Sequence, residues 1–260
     1  MKRVFVIIAI LLVVALGFYC GHRIYHKFMI IKSNYDVLLN SSQMQIAMKR
    51  DTFAVLTPLK VVCLGNSITK HAYLPEIEWF SDWGMAASKE DNDYCHVLQN
   101  ILRKYNNESI VIPVNIADWE RNPTCDIDSL LGDTCEHADV IVIRLGENVQ
   151  NIVSFKENIQ RLIDKCKSYT PHVLISGNFW INGEKEKVLL NAAYDNHLRF
   201  IPISWIGEIR RAYPKHGDTI YNVDGEQYIV TKDFILSHPN DEGMKSIAEA
   251  IFNAITCINF

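Results

Sequence analysis

Short apolar runs alternate with amphipathic helical patterns from residue 58 to residue 257, and no other feature restricts the fold as much. The runs occupy residues 59–64, 109–116, 139–144, 172–177 and 199–203 and are rich in Val and Ile. Each is too short for a helix and too continuously apolar for a strand with one wet face. Between them, residues 155–169, 184–196 and 241–254 carry apolar positions at helical spacing. Strands regularly followed by helices predict an α/β domain, a parallel sheet covered on both faces, over residues 58–260. Ligand sites of such sheets lie at the carboxyl ends of the strands. Residues 219–231 break the pattern, since Asp224-Gly225 flanked by alternating residues signals a hairpin. A helix is expected to start at Ser88, and residues 117–122 are expected to form a strand-end loop.

The first run stops abruptly at Gly65, and Asn66-Ser67-Ile68-Thr69 follow. A serine just beyond a buried strand has its position fixed while the turn keeps its hydroxyl clear of the sheet, which suits a nucleophile. On these residues alone, such a segment is more often only a turn. His238 lies far along the chain in Ser237-His238-Pro239-Asn240, where the proline holds it out of helical geometry just before the last helix. Placed beside Ser67, it would complete a nucleophile and base pair. Arg144-Leu145-Gly146-Glu147-Asn148 follows the third run, and Asn148 can donate to a developing oxyanion.

These segments resemble the blocks of the SGNH (GDSL-like) hydrolases. Gly65-Asn66-Ser67-Ile68-Thr69 stands for the nucleophile block, Asn115-Ile116-Ala117 for the second block, Gly146-Glu147-Asn148 for the third, and His238-Pro239-Asn240 for the base. The resemblance covers residues 58–257. It implies a three-layer αβα, flavodoxin-like sheet and a serine esterase. Ser67 would be the nucleophile and His238 the base, with an oxyanion hole made by the N–H groups of Ser67 and Ala117 and the Asn148 side chain. Two positions depart from the pattern. Ala117 replaces a glycine, and Ile235 stands where the family carries the aspartate that orients the histidine. Asp233 is the best-placed substitute for that acid; a backbone carbonyl holding the ring, or loss of activity, are the other outcomes.

The long connection over residues 70–87 carries Trp79 and Trp83, read either as a sugar-stacking rim or as loop packing. Arg121, Arg144, Glu120 and Glu147 near the strand ends read as an internal ion-pair network. The net charge of −4 and the lack of a basic stripe give no reason to expect a nucleic-acid partner. The seven cysteines show no metal-ligand spacing, so neither a metal nor another cofactor is expected. Cys125 and Cys135 are spaced for a disulfide in an oxidising compartment, while Cys63, Cys95, Cys166 and Cys257 read as buried thiols.

Residues 4–20 are uncharged and apolar or small, and they follow Lys2 and Arg3. That length favours a membrane anchor over residues 1–21 rather than a cleaved signal, with a stalk over 22–57. Either reading puts the folded domain outside the cytoplasm. The expected function is thus a membrane-anchored serine esterase acting on a small-molecule or glycan acyl ester. An acyltransferase using the same serine, and a non-catalytic binding module, are the alternatives.

Overall fold

The computed structural model describes residues 57–258 and residue 260. The expected anchor at 1–21 and nearly all of the stalk lie outside the described residues. Among the described residues, no helix is long and apolar enough to cross a membrane.

Five parallel strands form one sheet: β1 (Lys60–Gly65), β2 (Ile110–Asn115), β3 (Val140–Ile143), β4 (Val173–Ser176) and β5 (Arg199–Ile201). Their order is β2-β1-β3-β4-β5, the flavodoxin-like arrangement. β3 and β4 are buried along their whole length, and β1 is buried beyond Lys60. This accounts for their unbroken apolar sequence. β2 is an edge strand and more exposed, so it tolerates Pro113, which pairs in register with Cys63.

Alternate residues of each strand feed opposite cores. Val61, Cys63 and Val142 meet α1 (Tyr94–Leu102) and α8 (Asp241–Ile255) through Leu98, Leu102, Ile247 and Ile251. Val62, Leu64 and Ile143 meet α4 (Ile152–Tyr169) and α5 (Gly183–Asp195) through Phe155, Ile159, Leu162 and Leu189. Four shorter helices lie in the connections: α2 (Ala117–Arg121), α3 (Ile127–Leu131), α6 (Ser204–Gly207) and α7 (Asp233–Leu236). Residues 117–121, expected as loop, are therefore helical.

The helix expected to start at Ser88 begins at Tyr94. Its cap is Asp93, whose carboxylate accepts from His96 N–H at 2.8 Å. Ser88 instead donates through its backbone N–H and hydroxyl to Asp241 at 2.7 and 2.6 Å, tying the long connection to the first turn of α8. The hairpin forms from β6 (Thr219–Tyr221) and β7 (Gln227–Ile229), with Gly225 at φ +80° in its turn. It docks on the same connection, Tyr221 N–H bonding Ser88 O at 2.8 Å and Val223 N–H bonding Phe80 O at 3.1 Å. The disulfide expected between Cys125 and Cys135 is absent: both are free thiols, Cys135 buried in the core and Cys125 half-buried. Cys63, Cys95 and Cys166 are buried as expected, whereas Cys257 is only partly so.

Candidate active site

The sheet order reverses at β1, since the chain moves from β1 outward to β2 and then returns to β3 on the other side. That reversal leaves a crevice at the carboxyl ends of β1 and β3. Ser67 stands there, two residues beyond β1. Its turn is closed by Thr69 N–H and Lys70 N–H, which bond Asn66 O at 2.8 and 3.0 Å. Met85 N–H donates to Ser67 O at 2.8 Å, so the long connection braces the turn from outside.

α7 delivers His238 from the far end of the chain. Ser67 Oγ and His238 Nε2 are 2.9 Å apart. His238 Nδ1 lies 2.9 Å from Phe234 O. A carbonyl only accepts, so Nδ1 carries the proton and Nε2 offers its lone pair to the serine hydroxyl. The imidazole is fully buried, with the Trp180 and Phe234 rings edge-on to it at 5.2 and 5.0 Å. Burial lowers its pKa from 6.5 to about 4; nearby His71 and Arg144 push the same way, and the Phe234 carbonyl only partly opposes them.

Asp233 is not the partner of this histidine. Its side chain is 94% exposed and pairs with His216 Nε2 at 3.2 Å. The first turn of α7 points it into solvent, while Ile235, at the family's acid position, is buried in the core. The backbone-carbonyl alternative is what the fold adopts.

Ser67, Ala117 and Asn148 border one cavity of about 220 Å³, together with His71, Arg121 and Phe234. Ala117 N–H is already engaged, donating to Asn115 Oδ1 at 2.9 Å. Asn148 Nδ2 donates to Glu120 Oε2 at 2.7 Å. The two tryptophans of the long connection are not at the rim. Trp79 and Trp83 are buried against each other, their indole N–H groups bonded to His71 O and Ala87 O, both at 3.0 Å. Loop packing, the plainer reading, holds for them. The aromatic residues that flank the histidine, Trp180 and Phe234, escaped the sequence reading. Trp180 lies just past the end of β4, and that strand-end position was the available signal.

A buried polar network lies beneath the turn. Arg144 Nη1 and Nη2 donate to Glu147 Oε1 at 2.8 and 2.9 Å. Asn66 Nδ2 donates to Glu147 Oε2 at 2.8 Å and to Glu120 Oε1 at 3.2 Å. Gly146 N–H also donates to Glu120 Oε1. Burial raises the Glu120 pKa, Glu147 adds to the rise, and the donors from Asn148, Gly146 and Asn66 counter it. Arg144, Glu120 and Glu147 thus form the expected internal network. Arg121 does not join it; it pairs at the surface with Asp118 at 3.1 Å.

No protein-family model matches the sequence. No curated protein matches it either. Its fold matches solved structures. An α/β hydrolase from the metagenome of Lake Arreo, Spain, matches with a TM-score of 0.52 at 12% identity, over 80% of this chain and 100% of the other. A protein assigned to the G-D-S-L lipolytic family from Desulfitobacterium hafniense matches at 0.45 and 14% identity, over 75% and 98%. An acetylxylan esterase from Geobacillus stearothermophilus matches at 0.47 and 14% identity, over 78% and 96%. The match to the Lake Arreo hydrolase is a likeness of fold.

Proposed function

We propose that this chain is a serine esterase working through a Ser67–His238 dyad. The observation that carries the reading is the 2.9 Å approach of Ser67 Oγ to a histidine nitrogen whose partner nitrogen is held by a carbonyl. Ser67 Oγ attacks the ester carbonyl carbon as its proton passes to His238 Nε2. The resulting oxyanion is held by Ser67 N–H and the second Nδ2 hydrogen of Asn148, while Ala117 N–H stays bonded to Asn115 Oδ1. Collapse breaks the bond to the alkoxy oxygen, which takes the proton from His238 and leaves as the alcohol. Water, deprotonated by the same nitrogen, then releases the acid and restores the serine.

A carbonyl dipole steadies the transient imidazolium less than a carboxylate does, so the dyad works with less electrostatic help than a triad. The cavity of about 220 Å³ is smaller than the roughly 300 Å³ at which pockets for larger ligands begin, so it suits a short acyl group. The polar groups that line it, including Asn115 and Arg121, suit a hydroxyl-rich alcohol, and an O-acylated carbohydrate is the substrate class we assign. The apolar segment at residues 4–20 would anchor the enzyme with its site outside the cytoplasm.

The test is hydrolysis of p-nitrophenyl acetate by the full chain in detergent, set against Ser67→Ala. The wild-type rate is expected to exceed the variant's by at least about 10³-fold. A fluorophosphonate should label wild-type protein once and the variant not at all. Equal rates, or an unlabelled folded wild type, would overturn the assignment.

A further inference from the structure

Asparagine is an ambiguous oxyanion donor. Its carboxamide presents either an acceptor or a donor to a given point, depending on a rotation that needs no other change. Some neighbour must decide which end faces the cavity. Here the neighbour is Glu120, a carboxylate only 1% exposed on the five-residue helix α2 and outside every one of the family-like blocks.

Three donors converge on this carboxylate. Oε2 accepts Asn148 Nδ2 at 2.7 Å. Oε1 accepts Asn66 Nδ2 at 3.2 Å and Gly146 N–H. It thus joins the turn that carries Ser67 to the turn that carries Asn148. An ionised carboxylate accepts and never donates, so the Asn148 NH₂ must point toward it. That NH₂ has two hydrogens at a fixed angle. One is held by Glu120, and the other is left for the cavity that Asn148 and Ser67 share. We propose that Glu120 is a positioning residue that fixes the Asn148 carboxamide in its donor orientation beside Ser67. The inference rests on the esterase reading.

Glutamine of the same shape cannot do this. Its NH₂ must face either the Asn148 NH₂ or the pair formed by Gly146 N–H and Asn66 Nδ2. The first arrangement loses fewer bonds, and it turns the Asn148 oxygen toward residue 120.

The experiment is a double-mutant cycle on p-nitrophenyl acetate hydrolysis with Glu120→Gln, Asn148→Ala and both together, alongside Ser67→Ala. Glu120→Gln is expected to lower kcat about 10²-fold while KM moves less than about threefold, because the lost bond acts only in the transition state. In the Asn148→Ala background, the same change should lower kcat by less than about threefold. An undiminished kcat in Glu120→Gln, or losses that multiply in the double variant, would show that Glu120 does not act through Asn148. Ser67→Ala separates the two levels, since a variant as fast as wild type removes the esterase reading and this inference together. If Glu120→Gln does not fold, wild-type protein labelled with ¹⁵N decides. The carboxamide signal missing from Asn148→Ala should show one proton shifted downfield and protected from exchange. Two ordinary, freely exchanging protons would overturn the proposal.

Discussion

The chemistry at His238 differs from that of a triad because the group behind the ring is a dipole, not a charge. A carboxylate would hold the imidazole pKa up; burial without one lowers it from 6.5 to about 4. The unfolded chain therefore takes up a proton near pH 6.5 that the folded ring refuses until about pH 4. The stability this residue contributes is full above 6.5 and is lost as pH falls from 6.5 toward 4. The base, meanwhile, stays unprotonated well below neutrality. The dependence of kcat/KM on pH should accordingly show no histidine limb between pH 5 and 7, whereas an ordinary histidine base would lose most of its activity there. Asp233→Asn should leave the profile unchanged, since Asp233 faces solvent and His216. A limb near 6.5 that moves in this variant would mean that the carboxylate reaches the ring after all.

At the scale of elements, the nucleophile turn depends on how little room it has. A methyl group at Gly65 would overlap the Thr69 side chain and approach Arg144 O at 3.1 Å. Thr69 cannot simply swing away, because its hydroxyl is held by Tyr94 OH at 2.7 Å. Gly65→Ala should therefore destabilise the domain by about 1–3 kcal/mol, read from its urea midpoint, and should reduce activity further than that loss explains by shifting Ser67. An unshifted midpoint would mean that the turn accommodates the methyl group. The strands around this turn were legible because burial on both faces writes an unbroken apolar run into the sequence. α2 and α7 were not legible. Each is one turn or little more, too short for a period to register, and held by its tertiary setting. The misplaced acid follows from that: the sequence puts Asp233 five residues before His238, but α7 turns it outward and brings Phe234 O to the ring instead. The tryptophans misled in a different way, because a large apolar ring with one donor satisfies a buried loop as readily as a sugar.

Across the whole molecule, the carboxyl ends of the strands gather buried charge that the fold tolerates at a loss of stability. Glu120, Glu147 and Arg144 lie under the turn, and Glu186 lies farther along the sheet, where α5 packs on the end of β4. Glu186 is 2% exposed and accepts Asn178 N–H at 3.0 Å. Burial nonetheless raises its pKa from 4.5 to about 7, against the pull of that bond. The folded carboxyl keeps its proton up to about pH 7, while the unfolded chain releases it near 4.5. Its contribution is therefore fully present below 4.5 and is lost as pH rises through 7, the reverse of the His238 case. The shift from 4.5 to about 7 corresponds to roughly 3 kcal/mol. Glutamine is neutral at every pH and escapes the loss. Glu186→Gln should then leave stability nearly unchanged at pH 4.5 and raise it by roughly 2–3 kcal/mol at pH 8, measured by urea unfolding at both values. Ester hydrolysis should be unaffected, because Glu186 bonds neither Ser67 nor His238. A gain of equal size at both pH values would trace the effect to packing, and no gain at pH 8 would mean that the carboxylate is already well solvated. The outcome bears on the site as a whole, since a scaffold that carries an acid only partly compensated by hydrogen bonds at its strand ends is held together chiefly by the two apolar cores on either side of the sheet.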